Sequence, residues 1–114
     1  MSISFNGYEK SIITFEAGDG LAVGCPVTLN SNGEAVPASA NSKFIGICTA
    51  IRNGWASVQT GGYATVKYSD SAPSYGVTML ATGANKTVKP VSENGIYYKV
   101  VKVDTTNTTA GIIL

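Results

Sequence analysis

Hydrophobic and polar residues alternate along this chain in short runs, and one succession of runs is written twice. The first copy holds Gly24-Cys25-Pro26-Val27-Thr28-Leu29, Gly33-Glu34-Ala35-Val36-Pro37, Phe44-Ile45-Gly46-Ile47-Cys48-Thr49-Ala50 and Ala56-Ser57-Val58-Gln59. The second holds Gly76-Val77-Thr78-Met79-Leu80, Lys86-Thr87-Val88-Lys89-Pro90, Tyr97-Tyr98-Lys99-Val100-Val101-Lys102-Val103 and Ala110-Gly111-Ile112-Ile113-Leu114. Each copy reads as a strand opened by glycine, a turn, a strand closed by proline, a long strand, a turn and a last strand. A repeat of this length is a structural unit rather than a catalytic motif. It predicts an all-β fold, a small β-barrel or sandwich built from two similar β-meanders over about residues 21–62 and 73–114. Together they form a single β-domain over 17–114, preceded by an arm and first strand over 1–16.

Turn chemistry supports this division. Asn32-Gly33, Asn53-Gly54, Gly61-Gly62 and Asn94-Gly95 separate runs rich in Val, Ile, Thr and Tyr, and Asn53-Gly54 is the clearest hairpin signal. No window sustains an i, i+3, i+4 apolar stripe, so almost no helix is expected. In residues 44–52, Ile45, Ile47 and Ile51 share one face with Thr49. Gly46, Cys48 and Ala50 fall on the other, which predicts a bulky core face and a small face for a close neighbour. Residues 63–69 alternate Tyr63, Thr65 and Lys67 against Ala64, Val66 and Tyr68, as in a strand with one wet face that bridges the two copies. Pro73 stops pairing in the link that follows. Consecutive Tyr97-Tyr98 and Val100-Val101 predict a central strand that meets apolar neighbours on both faces. Ile12-Ile13-Thr14-Phe15 forms a further strand. Residues 2–8 alternate without a partner inside the domain, and are expected to be an extended arm that pairs with another sheet edge.

Composition narrows the function. Charged residues make up 13% of the 114 residues, about half the ~25% of an average domain, so the surface is rich in Ser, Thr, Asn and Gly or is covered by a partner. The formal net charge is +1, and Lys43, Arg52, Lys67, Lys86, Lys89, Lys99 and Lys102 are scattered. No footprint for nucleic acid is present. No run approaches a membrane span, and residues 1–10 lack the basic start and apolar core of a signal peptide, so the protein is expected to stay where it is made.

Candidate chemistry is sparse. The chain has no histidine, which removes imidazole bases, triads and histidine metal sites. Glu9, Glu16, Asp19, Glu34, Asp70, Glu93 and Asp104 sit mostly beside turns and read as solvated acids. Gly18-Asp19-Gly20 is one acid in a tight turn, short of the oxygen set that calcium requires. Cys25 and Cys48 lack zinc-site spacing and read as small buried hydrophobes; a disulfide between them requires neighbouring strands. The acceptor patterns at Asn85-Lys86-Thr87 and Asn107-Thr108-Thr109 matter only in a secreted protein. No catalytic residue, cofactor or metal is expected. Trp55 and Tyr63, Tyr68, Tyr75, Tyr97 and Tyr98 are the candidates for binding, as a stacking platform if they share an exposed face. Trp55, following the hairpin, is expected to pack over the sheet.

The order of motifs carries a resemblance. Val23-Gly24-Cys25-Pro26-Val27-Thr28-Leu29, Phe44-Ile45-Gly46-Ile47, Ala56-Ser57-Val58-Gln59-Thr60-Gly61-Gly62-Tyr63-Ala64-Thr65-Val66, Ser71-Ala72-Pro73-Ser74-Tyr75-Gly76 and Val100-Val101-Lys102-Val103-Asp104 together resemble the head-decoration, or capsid cement, proteins of tailed phages and prophages, over about 17–114. The resemblance implies a non-enzymatic structural virion protein, made in the bacterial host cytoplasm, that binds the outer surface of the capsid and stabilises it. The major capsid protein and further copies of itself, as a trimer by analogy, are the implied partners. Ile3, Phe5 and Tyr8 of the arm, with Trp55, are the candidate interface residues. The alternative from another class is a carbohydrate-binding or adhesion module of a phage tail or cell surface, using Trp55 and exposed tyrosines.

Overall fold

In the computed structural model, which describes residues 11–114, the chain forms ten strands. They are β1 (Ser11–Glu16), β2 (Pro26–Leu29), β3 (Ala35–Pro37), β4 (Gly46–Arg52), β5 (Trp55–Gly61), β6 (Tyr63–Lys67), β7 (Gly76–Thr82), β8 (Val88–Pro90), β9 (Ile96–Asp104) and β10 (Thr109–Ile113). No described residue is helical. The predicted arm over residues 2–8, with Ile3, Phe5 and Tyr8, lies outside the described residues.

The strands make two antiparallel five-stranded sheets, ordered β1-β5-β4-β2-β3 and β6-β10-β9-β7-β8. These are one topology used twice, and the all-β sandwich expected from the repeat is what the chain adopts. The repeating unit has five strands, because β6 takes in the second sheet the place that β1 holds in the first. The strand over 63–67 therefore heads the second unit instead of bridging two four-strand copies. The likeness extends to irregularities. A parallel bridge joins Ala17 to Ala35 in one half and Tyr68 to Val88 in the other. A register shift falls between Cys48 and Ala50 against β5, and its counterpart between Val100 and Lys102 against β10.

That bulge explains why the face prediction for residues 44–52 failed beyond Cys48, while Ile45 lies before β4 begins. An extra residue at Thr49 interrupts the alternation, since a one-residue slip exchanges the faces of everything beyond it. Ile47 and Cys48 are buried, whereas Ile45, Thr49, Ala50 and Ile51 are exposed. Turn predictions hold better. Asn53 and Gly54 both have positive φ, 53° and 80°, as a type I′ hairpin requires. Pro37 and Pro90 end β3 and β8, and residues 70–75 carry no strand.

The core is divided. Val27, Ala35, Cys48, Ala56 and Val58 cluster in the first half. A larger cluster gathers Ala64, Val66, Leu80, Val88, Tyr98, Val100, Ala110 and Ile112 of the second half, with Phe44 and Ile47 of the first. β4 thus serves both cores, Ile47 on one face and Cys48 on the other. Phe44 is fully buried and stacks on Tyr98 with ring centroids 5.1 Å apart. The Tyr98 hydroxyl donates to the Phe44 carbonyl at 3.0 Å. Around this plug the backbone of the 38–45 loop is bonded to the end of β7, from Asn41 N–H to the Thr82 carbonyl at 2.8 Å and from Thr82 N–H to the Ser42 carbonyl at 2.9 Å. At the crossover between sheets the buried Gln59 amide donates to the carbonyls of Gly61 and Tyr63. The predicted central strand is central, but only one of its faces is covered at its start: Tyr98 and Val100 are buried while Tyr97 and Lys99 are exposed.

Two outcomes follow from the plug. Phe44→Ala removes a ring that both halves pack against and is expected to destabilise the protein by about 3–5 kcal/mol, whereas Ile45→Ala, on the exposed side of the same strand entry, changes stability by well under half of that; urea denaturation of both variants checks this. Burial pushes the Tyr98 phenol up to about 12 from an ordinary value of 10.0. Below pH 10 it is neutral folded and unfolded, so its contribution is intact; between pH 10 and 12 only the unfolded chain releases the proton, and stability falls as pH rises. Urea midpoints across that interval should drop less steeply in Tyr98→Phe than in the parent.

Candidate interaction surface

Several large apolar side chains are left outward by the fold. At the β4–β5 hairpin, Trp55 is paired with Arg52 on one side and Glu16 on the other. Directly opposed residues share a face, so the three make a row across β4, β5 and β1, and Ala50, Ser57 and Thr14 make the next. The type I′ turn puts Trp55 at the end of this face, beyond the reach of any covering strand, and half of its surface stays exposed (50%). Beside it lies a depression of about 460 Å³ lined by Ala50, Ile51, Arg52, Asn53, Trp55 and Ser57. The expectation that Trp55 packs over the sheet holds for only part of its ring.

A second apolar area lies on the outer face of β7 and β9. Met79 pairs with Tyr97 and Val77 with Lys99, which makes Val77 and Tyr97 diagonal neighbours on one face, near enough for large side chains to touch. Val77 is 67% exposed and Tyr97 64%. Tyr75, equally exposed, is held beside β9 by accepting a hydrogen bond from the Val103 N–H at 3.3 Å. Ile12 and Ile13, both about half exposed, lie on β1, which is the edge of its sheet.

The aromatics do not assemble into one platform. Tyr98 is buried in the second core, Tyr68 packs against it, and Trp55 and Tyr97 stand on different sheets. Sequence reasoning singled out Trp55 but missed Val77 and Met79, whose proximity to Tyr97 depends on the β7–β9 register and on no local motif. Of the candidate interface residues, Trp55 alone lies among those described.

Chemistry-bearing groups stay dispersed. No cluster of three or more His, Cys, Asp or Glu able to hold a metal occurs among the described residues. Among them one ion pair forms, Lys89 with Asp70 at 3.7 Å. Asp104 accepts hydrogen bonds from the Asn107 side chain and from the Asn107 and Thr106 backbone, and these hold its carboxyl below the usual range; it closes the β9–β10 turn. Gly18, Asp19 and Gly20 belong to the turn after β1, where Gly18 N–H donates to the Ala35 carbonyl. Cys25 and Cys48 are buried free thiols. No helix among the described residues is long and apolar enough to cross a membrane.

Comparison with known protein families, with characterised proteins and with solved structures returns no match. The surface must be interpreted on its own chemistry.

Trp55 is the only tryptophan of the chain, so its fluorescence reports this surface alone. Acrylamide should quench the folded protein at no less than about half the rate seen in urea, and a partner that covers the hairpin should slow quenching and shift emission to the blue.

Proposed function

We propose that the protein is a non-catalytic structural component of a virion that binds the outside of a phage capsid and reinforces it. The observation that carries this reading is the pairing of large apolar side chains, held outward on β-strands at Trp55, Val77 and Tyr97, with the scatter of chemistry-bearing groups among the described residues. A surface that offers contact area without convergent polar groups suits another protein better than a small substrate. Tyr and Trp add large contact area with few torsions to freeze, and they are enriched where interfaces concentrate their energy. Low charge supports the same reading, since charges are depleted from interface cores.

The major capsid protein is the proposed partner, with further copies of the chain as a trimer on the lattice. Repetition over many equivalent sites lets a modest single contact hold firmly. Residues 1–8, with Ile3, Phe5 and Tyr8, are the proposed anchor, through strand addition to a capsid edge; the edge position of β1, which begins at Ser11, supports such an extension. Capsid shells stripped of the protein should bind it saturably and resist heat better once decorated. Deleting residues 1–8 should weaken binding at least tenfold, and Trp55→Ala by about 5–30-fold, as for an interface residue worth 1–2 kcal/mol; unchanged affinity in the deletion would remove the anchoring role.

A second reading rests on Trp55 itself, which is exposed beside a depression bordered by Arg52, Asn53 and Ser57 and could stack on a sugar ring. Glycan-array binding lost in Trp55→Ala, together with indifference to capsid shells, would favour a carbohydrate-binding module of a tail or cell surface instead.

A further inference from the structure

The two cysteines, separate in sequence, meet at one point of the first sheet. β2 pairs with β4 through Pro26 with Ile47 and Val27 with Gly46. Continuing that antiparallel register by one residue sets Cys25 opposite Cys48. The backbone confirms it: Cys48 N–H donates to the Cys25 carbonyl at 3.0 Å, and Gly24 N–H donates to the Cys48 carbonyl at 2.8 Å. Gly24 has φ 92°, so Gly24 and Cys25 together oppose Cys48 in a bulge whose first residue is a left-handed glycine. Cys25 shares a strand face with Val27, and Val27 and Cys48 lie in the first core, so both thiols are on the inner face. The bulge keeps Cys25 hydrogen-bonded to Cys48 through the backbone, and a hydrogen-bonded antiparallel pair has Cα atoms about 5.5 Å apart, inside the ~4.4–6.8 Å that a disulfide spans.

Both thiols are buried, Cys25 at 5% exposure and Cys48 at 1%, but only Cys25 borders open space. Burial pushes the Cys48 thiol up. Cys25 borders a depression of about 370 Å³ whose wall also includes Pro37, Ala38, Thr82 and Lys86. The seam they join is short: β2 and β4 are paired through two residue pairs, the bulge hydrogen bonds and one more bond, from the Ile45 N–H to the Val27 carbonyl at 2.7 Å. Short seams of this kind open locally at less than the global unfolding free energy, which admits a small reagent.

We propose that Cys25 and Cys48 are a latent staple, open in a reducing compartment and closed to a disulfide by a small-molecule disulfide in an oxidising one. The Cys25 thiolate attacks one sulfur of the reagent, forming a mixed disulfide and expelling one thiolate. The Cys48 thiolate then attacks the Cys25 sulfur, the new S–S bond forms, and the second reagent thiolate leaves. Two electrons pass from the cysteine pair to the reagent, whose two expelled thiolates take up, through water, the two protons the cysteines release and leave as thiols. The staple ties the entry to β2 to the middle of β4, where the first sheet has least pairing.

The test is incubation of the full, folded chain with glutathione disulfide, followed by intact mass, non-reducing electrophoresis and urea denaturation. The expected product is a monomer lighter by two hydrogens, with a raised urea midpoint that returns to its starting value on reduction. Cys48→Ser should stop at one glutathione adduct on Cys25, and Cys25→Ser should leave Cys48 unmodified. Disulfide-linked dimers, an adduct that persists on the unaltered chain, or a cross-link formed only in urea would overturn the proposal. Modification of Cys48 in Cys25→Ser would overturn the order of attack. The decisive measurement uses the unaltered chain, so a variant that folds poorly does not blunt it.

Discussion

Burial of Phe44 in the neighbouring half is the contact on which the architecture turns. Each half alone is a five-stranded sheet of short strands, with a first core built from small residues such as Ala35, Cys48 and Ala56. Phe44 leaves the 38–45 loop of that half and fills space beside Tyr98, Val100 and Ile112. Ring stacking, a buried hydroxyl-to-carbonyl hydrogen bond and the pairing of Asn41 and Ser42 with Thr82 all converge there. Without them the two sheets would be joined by Ile47, by Ala38 at the rim of the second core and by the crossover at Gly61 and Gly62. The radius of gyration, 13.5 Å, is about that of one folded body of this length, as a shared core requires.

This division of labour also bears on the surface. Because each sheet encloses its own core and Phe44 and Ile47 couple the two, much of the outer face of each is left without a protein layer above it. Trp55, Val77 and Tyr97 stand on those faces, on strands fixed by pairing on both sides, since β5, β7 and β9 are all interior to their sheets. A rigid apolar side chain loses little freedom when it is covered, which favours recognition by contact.

Much of the fold was legible because its punctuation is local. Asn53-Gly54 specified a type I′ turn, Pro37 and Pro90 closed strands, and alternation in residues 63–67 placed Ala64 and Val66 inward. What escaped was set by pairing. Nothing in the run of residues 44–52 marks Thr49 as the extra residue of a bulge, so period-two counting put Ile51 on the wrong face, and Ile45 was counted into a strand that begins only at Gly46. The equivalence of β6 with β1 is carried by register against the last strand of each half, while their sequences, Tyr-Ala-Thr-Val-Lys and Ile-Ile-Thr-Phe-Glu over the matched positions, share only the central threonine. The interaction surface was legible at Trp55, next to a turn that had to be exposed, and illegible at Val77 and Met79. Hydrophobic residues in a strand look alike until their sheet is assembled.

The order of strands carries a consequence for how the chain folds as it is made. The first sheet has all its strands once residue 61 has been synthesised, and the closing partners of β4 are then in hand. Phe44 at that moment has no site, because Tyr98, Val100 and Ile112 lie some fifty to seventy residues downstream. All strand pairings of the first half are therefore available early, while its docking waits on the last strand to emerge, and the contact joining the halves is among the longest in sequence separation. Long-range contacts are slow to form, and the last of them here closes a late-made pocket over an aromatic ring presented early.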